Sequence, residues 1–406
     1  MPRAGTGSAT GCPKSLASAS RYGCAPVAII GTGSANRHCC VRKVRAEGRQ
    51  RVASVAACSV DAPRSQRMKE IVRAAAVQAE PVWFNPAATA EKTVALIEEA
   101  ARSGAEIVAF PEVWIPGYPA FIMFAGEEEF PLIAEYRANA LTVDGPELAL
   151  VRKAAADNGI IVGLGFAERD GRSLYMSQAL VSGGGNAQIE RRKLKPTHRE
   201  RAVFGQGDGS DLQVVETPLG RVGALMCWEH LQPFNKMAMI GAGEQIHISS
   251  WPVLGLFGSS MMSGDTIETV NRAYAMESGT FVLMSSMVIS DQGREYFNRF
   301  GVQVPEFAGG GTARIIAPDT SVMTQPLAPD AEGIVYADLP MSALEISNYL
   351  TDPAGHYARP DVFRFTIDTT RRRAVNFYNE APHTDTPPAN PASSAGEHPP
   401  DAAAGG

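Results

Sequence analysis

Two periods of apolar and polar residues alternate along the chain. Short apolar runs rich in Val, Ile and Ala read as buried strands, at residues 71–77, 107–110, 160–167, 246–250 and 281–288. Between them lie stretches with apolar positions three and four apart, which predict helices at 86–103, 147–158, 233–242 and 266–278. Gly104 and Gly159 close two of these and act as stop signals. In the middle, runs 174–181 and 187–194 flank a glycine-rich loop, and runs 212–217 and 222–227 flank Pro218-Leu219-Gly220-Arg221. Both pairs read as hairpins. Runs 311–316 and 333–338 read as closing strands. Early strand–helix alternation with hairpins in the middle predicts the α/β or α+β class, with two layers of sheet and helices outside.

Both ends fall silent. Residues 1–67 sustain neither period and hold eleven Lys/Arg against Glu47 and Asp61. That balance of +9, in a chain of net charge −6, leaves −15 for residues 68–406. An Arg- and Ser-rich, acid-poor start reads either as a transit-like arm or as a mis-assigned start ahead of Met68. In both cases a disordered extension outside the fold is expected. Residues 381–406 are dominated by Pro, Ala and Gly, which predicts a disordered tail. The negative net charge argues against a nucleic-acid partner. No apolar run is long enough to span a bilayer, so no membrane partner is expected. A cytoplasmic location is expected, unless residues 1–67 direct import into an organelle. Five of the six cysteines lie in those 67 residues, and Cys227 is alone in the rest. This excludes an intrachain disulfide framework or a cysteine-built zinc cluster from the body.

Cys227 ends the run VGALMC, directly before Trp-Glu-His. A nucleophile there would face a crevice at a strand end, and a following helix would lower its pKa. The same position suits a buried structural cysteine. Glu112 ends the run IVAFPE, where partial desolvation would raise its pKa toward the range of a general base. A helix cap or surface acid is the plainer alternative. In RRKLKPTHRER, residues 191–201, alternation puts Lys193 and Lys195 on one face and Leu194 on the other. This is either a solvated edge or a lysine turned inward toward developing negative charge, with Glu200 to hold it.

Together these tracts are specific. Gly223-Ala224-Leu225-Met226-Cys227-Trp228-Glu229-His230, running on to Pro233-Phe234-Asn235-Lys236, resembles the nucleophile motif of nitrilases and cyanide hydratases. Phe110-Pro111-Glu112, with Pro116-Gly117-Tyr118-Pro119 after it, resembles their glutamate motif. Arg192-Lys193-Leu194-Lys195-Pro196-Thr197 through Glu200-Arg201, and GQGDGSD at 205–211, resemble their lysine motif. Gly309-Gly310-Gly311 resembles a late signature of the same carbon–nitrogen hydrolase superfamily. The three catalytic motifs occur in the expected order.

The resemblance implies that Cys227 is the nucleophile, Glu112 the general base, Lys193 rather than Lys195 the catalytic lysine, and Glu200 a supporting glutamate. It implies an α-β-β-α sandwich, pairing into an α-β-β-α-α-β-β-α dimer, with spirals or filaments among close relatives. No metal or organic cofactor is expected. A hydrolase domain over residues 71–345 and a C-terminal extension over 346–380 follow. The expected reaction converts a small-molecule nitrile to an acid and ammonia. An amidase and a cyanide hydratase are the alternatives within the superfamily. A thiol hydrolase using His198, His230 or His247 is a further alternative, and a non-enzymatic filament would predict loss of a motif residue. Tyr118, Trp228 and Trp251 are candidate pocket residues.

Overall fold

Strand β1 (Ile71–Ala79) is apolar at nearly every position because both of its faces are covered. Ala75, Val77 and Ala79 pack in one core cluster, and Val72, Ala74 and Ala76 in another. The computed structural model describes residues 69–123, 129–255, 260–298, 301 and 309–372. The disordered segments expected at 1–67 and 381–406 lie outside the described residues, as does the end of the extension expected at 346–380.

The remaining strands are β2 (Ile107–Ala109), β3 (Ile161–Asp170), β4 (Ser173–Val181), β5 (Ala187–Arg192), β6 (Val214–Thr217), β7 (Gly220–Met226), β8 (Ile246–Trp251), β9 (Phe281–Met287), β10 (Arg314–Ile316) and β11 (Gly333–Pro340). One half-sheet runs β5-β4-β3-β2-β1-β11, the other β6-β7-β8-β9-β10. They join at one corner, where Gln78 pairs with Ser286 and Ala79 with Met287. Helices α1 (Pro86–Arg102) and α3 (Pro146–Asn158) place Ala90, Ile97, Leu148 and Val151 against the outer face of the first half. Helices α4 (Pro233–Gly241) and α5 (Gly264–Ser278) place Met239, Tyr274 and Ala275 against the outer face of the second. Between the sheets, Ile107, Ile161 and Ile189 of one half meet Val222, Ile248 and Leu283 of the other. The layers are therefore helix, sheet, sheet, helix, as expected.

Local signals fix the helix ends. Asn85 caps α1 through Ala88 N–H, with Pro86 in the first turn. Gly159 ends α3 and Gly279 ends α5, both in the left-handed conformation that costs glycine nothing. Three helices escape the sequence pattern: α2 (Glu129–Ala138), α6 (Asp291–Asn298) and α7 (Ala343–Leu350). Pro131 in the first turn of α2 and Gly293 inside α6 both read as breakers. Helix α7 runs across the expected boundary between residues 345 and 346.

Strands β1, β2 and β3 are mutually parallel, β4 turns back and β5 returns to their direction. Strands β7, β8 and β9 are parallel to one another and to β1. The carboxyl ends of β2, β5 and β7 consequently share one rim, and the chain past each end carries one motif.

Candidate active site

Past β2 the chain turns sharply. Val113 takes φ +48°, and the turn presses on Gly165 of β3. A Cβ at Gly165 would stand 2.3 Å from Pro111 O and 2.7 Å from Val113 N, so only glycine fits. The turn directs Glu112, wholly buried, to the interior.

Past β5, Lys193 is wholly buried and its Nζ donates to Glu112 Oε1 (2.7 Å) and Glu200 Oε2 (2.9 Å). Glu200 sits in a single 3-10 turn, His198–Ala202, and also accepts from Tyr118 OH (2.7 Å) and Thr197 N–H (2.5 Å). The expectation that Lys193 and Lys195 share a face is overturned. Strand β5 ends at Arg192, because Leu194 N–H leaves the sheet for Glu229 Oε1 (2.8 Å). Lys195 lies beyond the alternation, exposed, with its Nζ on Gln206 Oε1 (2.6 Å).

Past β7, Cys227 opens a 3-10 turn, Cys227–Leu231, with φ +47° and 2% exposure. Left-handed backbone at Val113, His198 and Cys227 costs on the order of 1–3 kcal/mol each, and such residues concentrate at functional sites. The expected helix is only this one turn, and the expected low thiol pKa is overturned. Burial and then the Glu112 charge push the thiol well up, outweighing Lys193 and the Trp228 N–H. Burial likewise raises Glu112 to about 8, against the pull of Lys193. Burial opposes the Lys193 charge, but Glu112 and Glu200 more than offset it and hold the ammonium.

Two residues of this site carry no assigned role in the sequence reading. Glu229, buried, accepts Leu194 N–H and Arg191 Nη2 (2.6 Å) at Oε1, and Met226 N–H (2.9 Å) at Oε2. One carboxylate thus ties the lysine segment to the cysteine turn. Arg191 spends its other donors on Gln178 Oε1 (2.9 Å) and Asp211 O (2.8 Å). The signal was an inward-facing arginine two residues before Lys193.

A cavity of about 830 Å³ opens over Cys227, walled by Tyr118, Trp228, Phe234 and Val253, with Lys195 and Arg201 also on its lining. Trp251 is not on that wall. It is wholly buried, stacks on the His230 ring at 5.1 Å and donates its indole N–H to Ser249 Oγ (2.7 Å). Its place at the end of a fully covered strand explains the departure. His230 faces the Cys227 carbonyl with Nδ1 (2.7 Å) and His247 with Nε2 (2.9 Å), and His247 Nδ1 faces Glu244 (2.7 Å). Neither ring keeps a nitrogen free for the thiol. His198 is exposed on the cavity lining.

The sequence profile described as carbon-nitrogen hydrolase matches residues 73–347. The chain belongs to that family. Within this hydrolase family it falls in the nitrilase branch. A bromoxynil-specific nitrilase of Klebsiella pneumoniae subsp. ozaenae is 51% identical over 311 residues, 76% of this chain and 88% of that protein. An aliphatic nitrilase of Rhodococcus rhodochrous is 45% identical over 75% of this chain and 84% of its own length. An arylacetonitrilase of Hypocrea virens is 44% identical over 72% and 90%. Among solved structures, a carbon-nitrogen hydrolase from Helicobacter pylori G27 shares the fold at TM-score 0.58 and 19% identity, covering 72% of this chain and 97% of that one. The C. elegans NitFhit protein does so at TM-score 0.58 and 17% identity, over 76% and 69%. No helix among the described residues of this hydrolase is long and apolar enough to cross a membrane.

Proposed function

We propose that the hydrolase converts a nitrile, R–C≡N, to R–COOH and ammonia, with Cys227 as nucleophile, Glu112 as base and Lys193 as electrostatic partner. The observation that carries these roles is Glu112 Oε2. It is buried without a hydrogen-bond partner, while Oε1 is held by Lys193. An orphaned carboxylate oxygen costs stability, and here it lies near enough for its charge to act on the Cys227 thiol. A raised thiol pKa makes that base necessary.

Glu112 takes the thiol proton as sulfur bonds to the nitrile carbon, and returns it to nitrogen, giving a thioimidate. Water, deprotonated by Glu112, adds to the carbon, and the nitrogen gains that proton. Lys193 and the Trp228 N–H stabilise the tetrahedral species. Its hydroxyl proton passes to nitrogen, ammonia leaves and a thioester remains. A second water adds, restores the thiol proton and releases the acid. Collapse with loss of the thiol at the first tetrahedral stage would release an amide instead.

The volume of the cavity and its Tyr118, Trp228 and Phe234 walls support a bulky, largely apolar nitrile over cyanide. Ammonia release across benzonitrile, phenylacetonitrile, short aliphatic nitriles and cyanide, with acid and amide separated, tests this. Turnover of cyanide alone would defeat it. We also propose a homodimer. Phe234 of α4, Met276 of α5 and Ile346, Tyr349 and Leu350 of α7 are exposed apolar residues. Their helices adjoin, α4 to α5 through Lys236–Glu277 and the end of α5 to Ser347 of α7. Sedimentation as a monomer at micromolar concentration would count against it.

A further inference from the structure

Behind the nucleophile lies a line of buried polar side chains that takes no part in the chemistry above. His230 belongs to the Cys227 turn, Glu244 precedes β8, His247 and Ser249 lie on β8, and Asn271 and Tyr274 on α5. All are at most 6% exposed. Their hydrogen bonds fix where each proton sits. The Cys227 carbonyl can only accept, so His230 Nδ1, 2.7 Å away, carries a proton. Asn271 donates its amide N–H to Ile267 O (2.8 Å), which turns Oδ1 to Ser249. Ser249 gives its single proton to that oxygen (2.5 Å) and receives the Trp251 indole N–H (2.7 Å). Ser249 therefore has no proton for His230 Nε2, although it stands 2.9 Å away. His247 Nε2–H, at 2.9 Å, supplies it. Glu244 Oε1 holds His247 Nδ1 (2.7 Å), and Tyr274 OH holds Glu244 Oε2 (2.6 Å). Burial and the facing His247 push the His230 pKa well below its ordinary value, which keeps Nε2 free to accept.

The far end of this line is a peptide group. The carbonyl of Cys227 and the N–H of Trp228 belong to one plane and point in opposite directions. Left-handed backbone at Cys227 leaves that plane without a helical or sheet partner to hold it. The Trp228 N–H is hydrogen-bonded to the Cys227 thiol, where it helps the thiolate. We propose that His230 is a positioning residue: by clamping the Cys227 carbonyl, it keeps the Trp228 N–H aimed at the reacting sulfur and carbon, while the His247–Glu244–Tyr274 line holds its ring in the required tautomer. The bond into the carbonyl also polarises the N–H. The inference rests on the proposed role of Trp228 N–H as an oxyanion donor.

Two substitutions in the full chain separate the two ends of the imidazole. His230→Asn puts an amide near Nδ1 and can still donate to Cys227 O, but it loses His247. His230→Gln puts an amide near Nε2, keeps His247 and withdraws from Cys227 O. With phenylacetonitrile, His230→Gln is expected to lower kcat by about 100-fold, the order for a lost oxyanion donor, with KM within about threefold. His230→Asn is expected to stay within about fivefold of the parent, well short of that loss. The rate of iodoacetamide alkylation, read on the Cys227 peptide by mass spectrometry, is expected to follow the same order. Full activity in His230→Gln, or equal losses in both variants, would overturn the proposal. A parent that hydrolyses no nitrile would defeat the functional reading instead, and the alkylation rates would still decide the role of His230.

Discussion

Arg191 and Lys193 stand two residues apart, face inward and are wholly buried, yet their surroundings differ in one respect. Arg191 finds Glu229, Gln178 and the Asp211 carbonyl, and Glu229 in turn has both oxygens occupied. Lys193 finds Glu112 and Glu200, and one Glu112 oxygen is left over. A buried ion pair satisfied at every atom has nothing to offer a substrate. Its role is to lock segments together. A pair left one bond short keeps a reactive oxygen at a cost in stability. Neighbouring cations of the same sign thus belong to different trades, one holding the frame and the other serving the reaction.

The comparison can be broken from the reactive side first. Cys227→Ala is expected to abolish ammonia release with little change in thermal unfolding, since removing one sulfur from a site open to a cavity disturbs little packing. Surviving turnover would remove the covalent route. Glu112→Gln and Lys193→Ala should each lower kcat by at least about 100-fold, while the protein still folds. For the intact enzyme, kcat/KM should rise with pH through about 8, because Glu112 must lose its proton to act and burial holds that proton up to there. A profile flat from pH 6 to 9 would take the base role from Glu112.

On the framing side the signature should invert. Arg191→Met strands Glu229 in the interior, and urea unfolding should show a loss of about 3–5 kcal/mol. A stable Arg191→Met protein with normal unfolding would show that the two cations do not differ as argued. Lys195→Ala should be the mildest of the set. Its exposed bond to Gln206 is worth at most about 0.5 kcal/mol, so kcat/KM should change by about twofold or less. A collapse of activity there would mean the wrong lysine had been placed in the reaction.

Much of the frame was legible in sequence because it is periodic. Strand β1 and helices α1, α3 and α5 declare themselves through apolar spacing, Asn85, Gly159 and Gly279. Glu112, Lys193, Glu200 and Cys227 stand out as polar residues placed where apolar runs stop. Glu229 and Arg191 did not, because a structural ion pair joins residues far apart in sequence through contacts no local period records. Trp251 misled for a related reason. A large aromatic at a strand end looks like a pocket wall, and only the third dimension shows His230 beneath it. The pKa of Cys227 was misjudged because the short turn contributes a single N–H, and burial outweighs it.

The unshared Glu112 oxygen also settles where the protons of a turnover can come from. Ammonia needs three hydrogens on nitrogen. The thiol supplies one and the first water two; the second water re-protonates the thiol and leaves its other hydrogen on the acid. Two water molecules therefore cover the whole demand, and nothing has to be drawn from a buffer or a surface histidine. A carboxylate with one hand on Lys193 and one empty can pass each hydrogen along in turn and finish the cycle in the state in which it began. Such a site can close over a greasy substrate and still complete its chemistry, provided two waters are closed in with it.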